Sequence, residues 1–197
     1  MNSSTESSKA SASWATEPAG QGGACPKGLS GPSGPGWFPF RLCAEGDRPP
    51  APRGIETPDG VGDRLRTAAF AELQAREAFA WAAVRYQDAP LALRRAWEGL
   101  AEAEHRHLLM ILARMRALGA EIAQRPVSDA LWRSLTGCPD APSFARWMRT
   151  AEDRGRIAEE RFAEKLAQSD PETASMFAEI AREEASHIAI ADRFFPA

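Results

Sequence analysis

The chain has 197 residues, a net charge of −3, 44% hydrophobic and 26% charged residues, the makeup of one soluble globular domain with a core of ordinary size. That charge gives no bulk attraction to nucleic acid or to an anionic membrane, and no run reaches the roughly 18 apolar residues of a membrane-crossing helix. Three scattered cysteines, Cys25, Cys43 and Cys138, form neither a disulfide framework nor a zinc site. The N-terminus lacks the apolar stretch of a secretory signal, so the expected location is the cytoplasm, a reducing compartment.

Residues 1–36 are rich in Ser, Gly, Pro and Ala and are expected to form a disordered tail, because they cannot bury enough surface to offset chain entropy. Residues 37–61 carry Trp37, Phe38, Phe40 and Leu42 and then several prolines. They read as an extended arm whose aromatics either dock on the rest of the chain or hang free. From residue 62 to 197 a helical period takes over. The first helix is expected over 62–87, with Leu65, Ala69, Glu72, Phe79 and Ala83 on one stripe. Asp88-Ala89-Pro90 marks a turn and a new start. The second helix runs over 90–118 and closes at Gly119. Its inner stripe is Leu93, Trp97, Leu100, Glu104, His107, Ile111 and Met115.

Residues 120–141 form a long connection with a short helix expected over 128–135, capped by Ser128. Asp140-Ala141-Pro142 repeats the earlier start signal, and a third long helix follows over 142–168. Ser169-Asp170-Pro171 is a further turn with Pro at the first helical position, and the last helix covers 171–194. Short loops after the first and third long helices make two antiparallel hairpins, and the long connection crosses between them. The expected fold is therefore all-α, a ferritin-like four-helix bundle with one long crossover. The Arg clusters at 94–95 and 146–156 read as solvated helix faces. Trp81, Trp97 and Trp147 read as packing residues.

The chain holds three histidines, and two of them sit in Glu-x-x-His: Glu104-His105-Arg106-His107 and Glu184-Ala185-Ser186-His187. Positions i and i+3 share a helix face, so each motif aims a carboxylate and an imidazole together. A two-metal site in a bundle takes one such motif from each of two helices and one glutamate from each of the other two. Glu72 and Glu152 answer that need. Glu72 lies 32 residues before Glu104, and Glu152 lies 32 residues before Glu184 (104 − 72 and 184 − 152). Both midpoints fall at or next to an expected turn. The second set repeats the first at an offset of 80 residues (152 − 72 and 184 − 104). Sixteen residues at about 1.5 Å each place every ligand roughly 24 Å from its turn, at one level.

Carboxylates and imidazoles without thiolates suit divalent iron or manganese, and four buried glutamates without cations are costly. The candidate ligands are thus Glu72, Glu104, His107, Glu152, Glu184 and His187. Glu77 competes with Glu72 but lies off its stripe. Glu159 competes with Glu152 from one heptad on, as an alternate ligand or a supporting group. Glu102, Glu183 and His105 are expected to face solvent.

Four phrases then resemble an uncharacterised bacterial ferritin-like family. Glu72-Leu73-Gln74-Ala75 is similar to its ELQA segment, and Glu104-His105-Arg106-His107 stands in place of its DExRH. Pro126-Val127-Ser128-Asp129-Ala130-Leu131-Trp132 resembles its PVNDxxW loop, and Glu184-Ala185-Ser186-His187 resembles its DEIxH. The resemblance spans about 40–197 and reaches the rubrerythrin and di-iron hydroxylase superfamily. Two departures stand out: Phe70-Ala71 where that family has His before the glutamate, and Ala151-Glu152-Asp153-Arg154-Gly155 in place of Phe-Glu-Gly-Ala-Asn.

The resemblance implies two iron ions, or a manganese–iron pair, with Glu104 and Glu184 bridging and Glu72, Glu152, His107 and His187 terminal. It implies an oxidoreductase that uses dioxygen or peroxide to oxidise or hydroxylate a small organic substrate. An iron-binding, ferroxidase or peroxide-scavenging protein is the alternative. A tRNA-modifying hydroxylase is disfavoured by the net charge, and a metal-free helical scaffold by the buried glutamates. The expected partners are the substrate and the oxidant, with a homodimer allowed, no nucleic acid and no membrane.

Overall fold

The computed structural model describes residues 34–195; residues 1–33 and 196–197, and with them most of the expected tail, lie outside the described residues. The chain is all-helical. Its elements are α1 (Pro58–Arg85), α2 (Leu91–Ala117), α3 (Ala130–Thr136), α4 (Ala141–Leu166) and α5 (Pro171–Phe194). Among the described residues the β pairing is one isolated parallel bridge, Leu42 with Val127. No described helix is long and apolar enough to cross a membrane.

The ends of the helices follow local chemistry. Helix α1 starts at Pro58, four residues before the expected position and inside the segment read as the arm. Thr57 accepts the Gly60 N–H at 3.0 Å and Pro58 fills the first helical position, a start signal in its own right. Asp140 and Asp170 cap α4 and α5 by accepting the N–H groups of Ser143 and Thr173 at 2.8 and 3.1 Å. At the end of α2, Gly119 adopts φ 65°, and the Ala120 N–H reaches back to the Met115 carbonyl at 2.9 Å. That left-handed turn is strained for any residue with a Cβ. Helix α3 begins two residues later than expected. Asp129 stands at its N-cap without a side-chain capping bond, its carboxylate turned to Arg133 at 3.1 Å, while the Ser128 hydroxyl accepts the Ala130 N–H at 3.2 Å.

Helix α1 packs along α2, and α4 along α5, each pair joined by a short turn. The pairs meet where α2 touches α5 and α1 touches α4. The shared core gathers Leu65, Phe79, Leu93, Trp97, Ile111, Phe144, Phe177 and Ile180. Towards the α1–α2 turn, Phe144 of α4 sits within 5.3–6.3 Å of the rings of Phe79, Trp81, Tyr86 and Trp97. Trp81 and Trp97 pack there as expected. Trp147 lies partly exposed, with the Arg154 guanidinium over its ring at 5.3 Å.

The connection between α2 and α4 is held down by side chains. Gln74, buried on α1, donates to the carbonyls of Phe70 and Ser128 at 3.2 and 3.3 Å and accepts the Trp132 N–H at 3.0 Å. The Tyr86 hydroxyl donates to the Cys138 carbonyl at 2.9 Å. The arm docks alongside. Trp37 meets the rings of Phe70 and Trp132 at 5.3 and 5.8 Å, and Phe40 meets Phe70 at 4.9 Å, whereas Phe38 is exposed. The backbone of Arg41 and Cys43 exchanges hydrogen bonds with Val127 at 2.9 Å.

One buried carboxylate ties three segments together. Asp63 on α1 accepts from the Arg53 backbone and guanidinium at 2.7–3.0 Å, from Arg66 at 2.9 Å and from Arg125 at 2.5 Å. Arg66, also buried, donates onward to the carbonyls of Glu121 and Ile122. Burial pushes the Asp63 carboxyl up, but Arg53, Arg66 and Arg125 outweigh it and hold it well below its ordinary range.

Candidate metal centre

Each long helix turns a carboxylate inward at mid-length. Glu72 on α1, Glu104 on α2, Glu152 on α4 and Glu184 on α5 are all buried, with His107 and His187 one helical turn beyond Glu104 and Glu184. The structure brings all six expected residues into one cluster. Glu72, Glu104, His107 and Glu184 offer ligand atoms within 4.8 Å of one another, and so do Glu104, Glu152, Glu184 and His187. The two sets share Glu104 and Glu184.

The distances show how tightly the donors converge. His107 Nδ1 lies 3.1 Å from Glu184 Oε1 and 3.6 Å from both Glu72 Oε2 and Glu104 Oε2. His187 Nδ1 lies 2.8 Å from Glu104 Oε1 and 3.1 Å from Glu184 Oε2. The two imidazoles stack with centroids 5.7 Å apart. Both Glu104 oxygens, Glu184 Oε1 and His107 Nδ1 are buried without a hydrogen-bond partner. A buried polar atom left unpaired costs on the order of 1–3 kcal/mol, more when charged, so the cluster has donor atoms that a cation would satisfy. Oxygen and imidazole donors with no thiolate fit a hard or borderline divalent ion. These buried groups can hold metal ions.

A family model described as "Protein of unknown function (DUF455)" matches residues 31–197. The chain belongs to the DUF455 family. No curated protein and no solved structure matches it.

The charge pattern of the DUF455 cluster follows its burial. Burial drives the Glu72 and Glu152 carboxyls well above their ordinary range, and neighbouring carboxylates add to the shift. Burial acts on Glu104 and Glu184 too, but the groups beside them prevail, the two histidines on both and Glu152 also on Glu184, and hold both low. Burial disfavours charge on the histidines, yet Glu104 and Glu184 win and raise both, His187 to about 9. The shifts of the metal-free cluster therefore favour charge on Glu104, Glu184 and the two histidines, and the neutral form of Glu72 and Glu152.

Two further DUF455 residues join the six. Glu183, expected to face solvent, is half-buried, and its Oε2 lies 3.1 Å from His107 Nε2. A carboxylate there holds a proton on Nε2 and leaves Nδ1 facing the cluster as the atom that would meet a metal. Glu159 is buried beside Glu72 with one oxygen unpaired; burial, then the charge of Glu184, pushes it up to about 8. Its heptad spacing from Glu152 was the readable signal. Glu183 carried none, because its role depends on which neighbouring helix α5 faces. Glu77 pairs with Arg76 next door, and His105 is exposed, with its ring nitrogen 3.2 Å from Arg76.

Proposed function

We propose that this DUF455 chain is a ferritin-like four-helix bundle that binds two metal ions, iron first, and works as an oxidoreductase on dioxygen or peroxide. The observation that carries this reading is the pair of four-residue ligand sets that share Glu104 and Glu184. Two metal positions with two common carboxylates are the arrangement that lets a pair of ions act on one small molecule. Glu72 and His107 would complete one position, Glu152 and His187 the other. Bound iron would supply electrons to the oxidant. The chain's part is to hold the donors, exclude water and keep the His107 imidazole turned by Glu183.

Two products of that chemistry are separable. A small organic substrate is one target. The other is the iron itself, in a ferroxidase or peroxide-scavenging role, and one observation favours it. The cavity that meets Glu152 and His187 is small and lined mainly by apolar side chains, with room for about one water-sized molecule. The test is to load the chain with iron(II) without oxygen, add dioxygen or peroxide, and follow oxidant consumption against iron oxidation. Consumption that stops after the bound iron is oxidised supports the ferroxidase reading. Turnover that needs an added organic compound supports the oxygenase reading. No consumption above free iron would remove both.

A further inference from the structure

The 80-residue internal repeat makes the two halves of the centre comparable position by position, and the extra carboxylates fall on one side. Beside Glu72 and His107 stand Glu159 and Glu183. Their counterparts beside Glu152 and His187, at an offset of 80, are Phe79 and Ala103. The first half thus carries two extra carboxylates where the second has a benzyl ring and a methyl group.

The packing differs as well, and not all in one direction, since Met148 and Arg149 stand where the first half has Ala68 and Ala69. Leu65 and Ile111 are fully buried in the first half; their counterparts in the second are Ala145 and Ala191. The side-chain volume missing at those alanines coincides with a cavity. It is lined by Phe79, Trp97, Leu100, Met148 and Ile190 together with Ala145 and Ala191, and it ends on Glu152 and His187. Arg149, paired to Asp192 at 2.6 Å across α4 and α5, stands at its outer edge.

On the reading that the cluster binds two metals, we propose that the two positions are inequivalent and that a neutral, dioxygen-sized ligand reaches the centre through this apolar cavity, on the Glu152–His187 side. A cavity of this size and mostly apolar lining leaves no room for an organic substrate or a hydrated ion and suits a small neutral molecule. At the matching positions on the Glu72–His107 side stand Leu65, Ile111 and a further carboxylate, Glu159.

Nitric oxide serves as the diatomic probe. The full chain is loaded anaerobically with iron(II), metal is counted by elemental analysis, and nitric oxide is titrated while the iron–nitrosyl signal is followed by electron paramagnetic resonance. One nitric oxide is expected for each pair of irons. Ala191→Ile, which copies the first half's residue into a partly exposed position, is expected to slow nitric oxide binding tenfold or more with iron per chain unchanged. Ala145→Leu is the second variant and is expected to do the same. Unchanged binding in either sealed variant that still holds two irons would overturn the inference and leave the metal reading intact. A wild-type chain that binds no iron would overturn both.

Discussion

Adding divalent metal to the metal-free chain is expected to release protons, and the directions of the shifts say from which groups. Without metal, the shifts favour ionised Glu104 and Glu184 against protonated His107 and His187, with Glu72 and Glu152 protonated. That cluster is neutral. Ligation needs four carboxylates and two neutral imidazoles, so two divalent ions displace roughly four protons, one each from Glu72, Glu152, His107 and His187, and the cluster is neutral again. The overall affinity for the metal pair should then rise by about four powers of ten per pH unit near neutrality. Calorimetry in buffers of different ionisation enthalpy counts the protons directly. A release of one proton or none would mean either that the metal binds elsewhere or that the buried carboxylates are already ionised without it.

Three other outcomes follow. The metal-free protein should lose stability as pH rises. Groups whose folded values are raised bind more protons than the unfolded chain, so their contribution is present below the unfolded value and is lost on passing the folded one. For His187 that window runs from 6.5 to about 9, and for Glu159 from 4.5 to about 8; melting curves across it should fall for the metal-free form and stay nearly flat for the loaded one. Asp63→Asn should cost about 3–5 kcal/mol in urea unfolding, because it leaves buried Arg66 without its carboxylate. The sign is opposite here: the Asp63 carboxyl is depressed, so its stabilisation is present above 3.8 and lost as pH falls. Gln74→Ala should cost about 1–3 kcal/mol and speed proteolysis near Ser128, where the connection loses its anchor.

What could be read from the sequence was what depends on local periodicity. The long helices lie within a few residues of their expected ends because proline, aspartate and glycine punctuate them. The six clustered residues were legible because a helix puts i and i+3 on one face and because equal spacing from a turn puts two residues at one level. Contacts across the fold were not legible. Gln74 reads as an ordinary helix residue until the connection at Ser128–Trp132 is laid over it. Asp63 reads as one more acid in a first turn, yet three arginines from three segments converge on it. Glu183 sits next to a ligand and reads as solvent-facing, and only the packing of α5 on α2 brings it to His107. The early start of α1 is a different case. Thr57-Pro58-Asp59 carries a cap signal, but the proline-rich surroundings masked it.

The central claim is that Glu104 and Glu184 are common to two metal positions. Elemental analysis of the chain purified with iron supplied, beside Glu104→Ala/Glu184→Ala, tests it most directly. Near two metal ions per chain in the wild type and near none in a double variant that keeps its helical spectrum is the expected result. Full occupancy in the double variant, or a folded wild type that holds no metal, would contradict it.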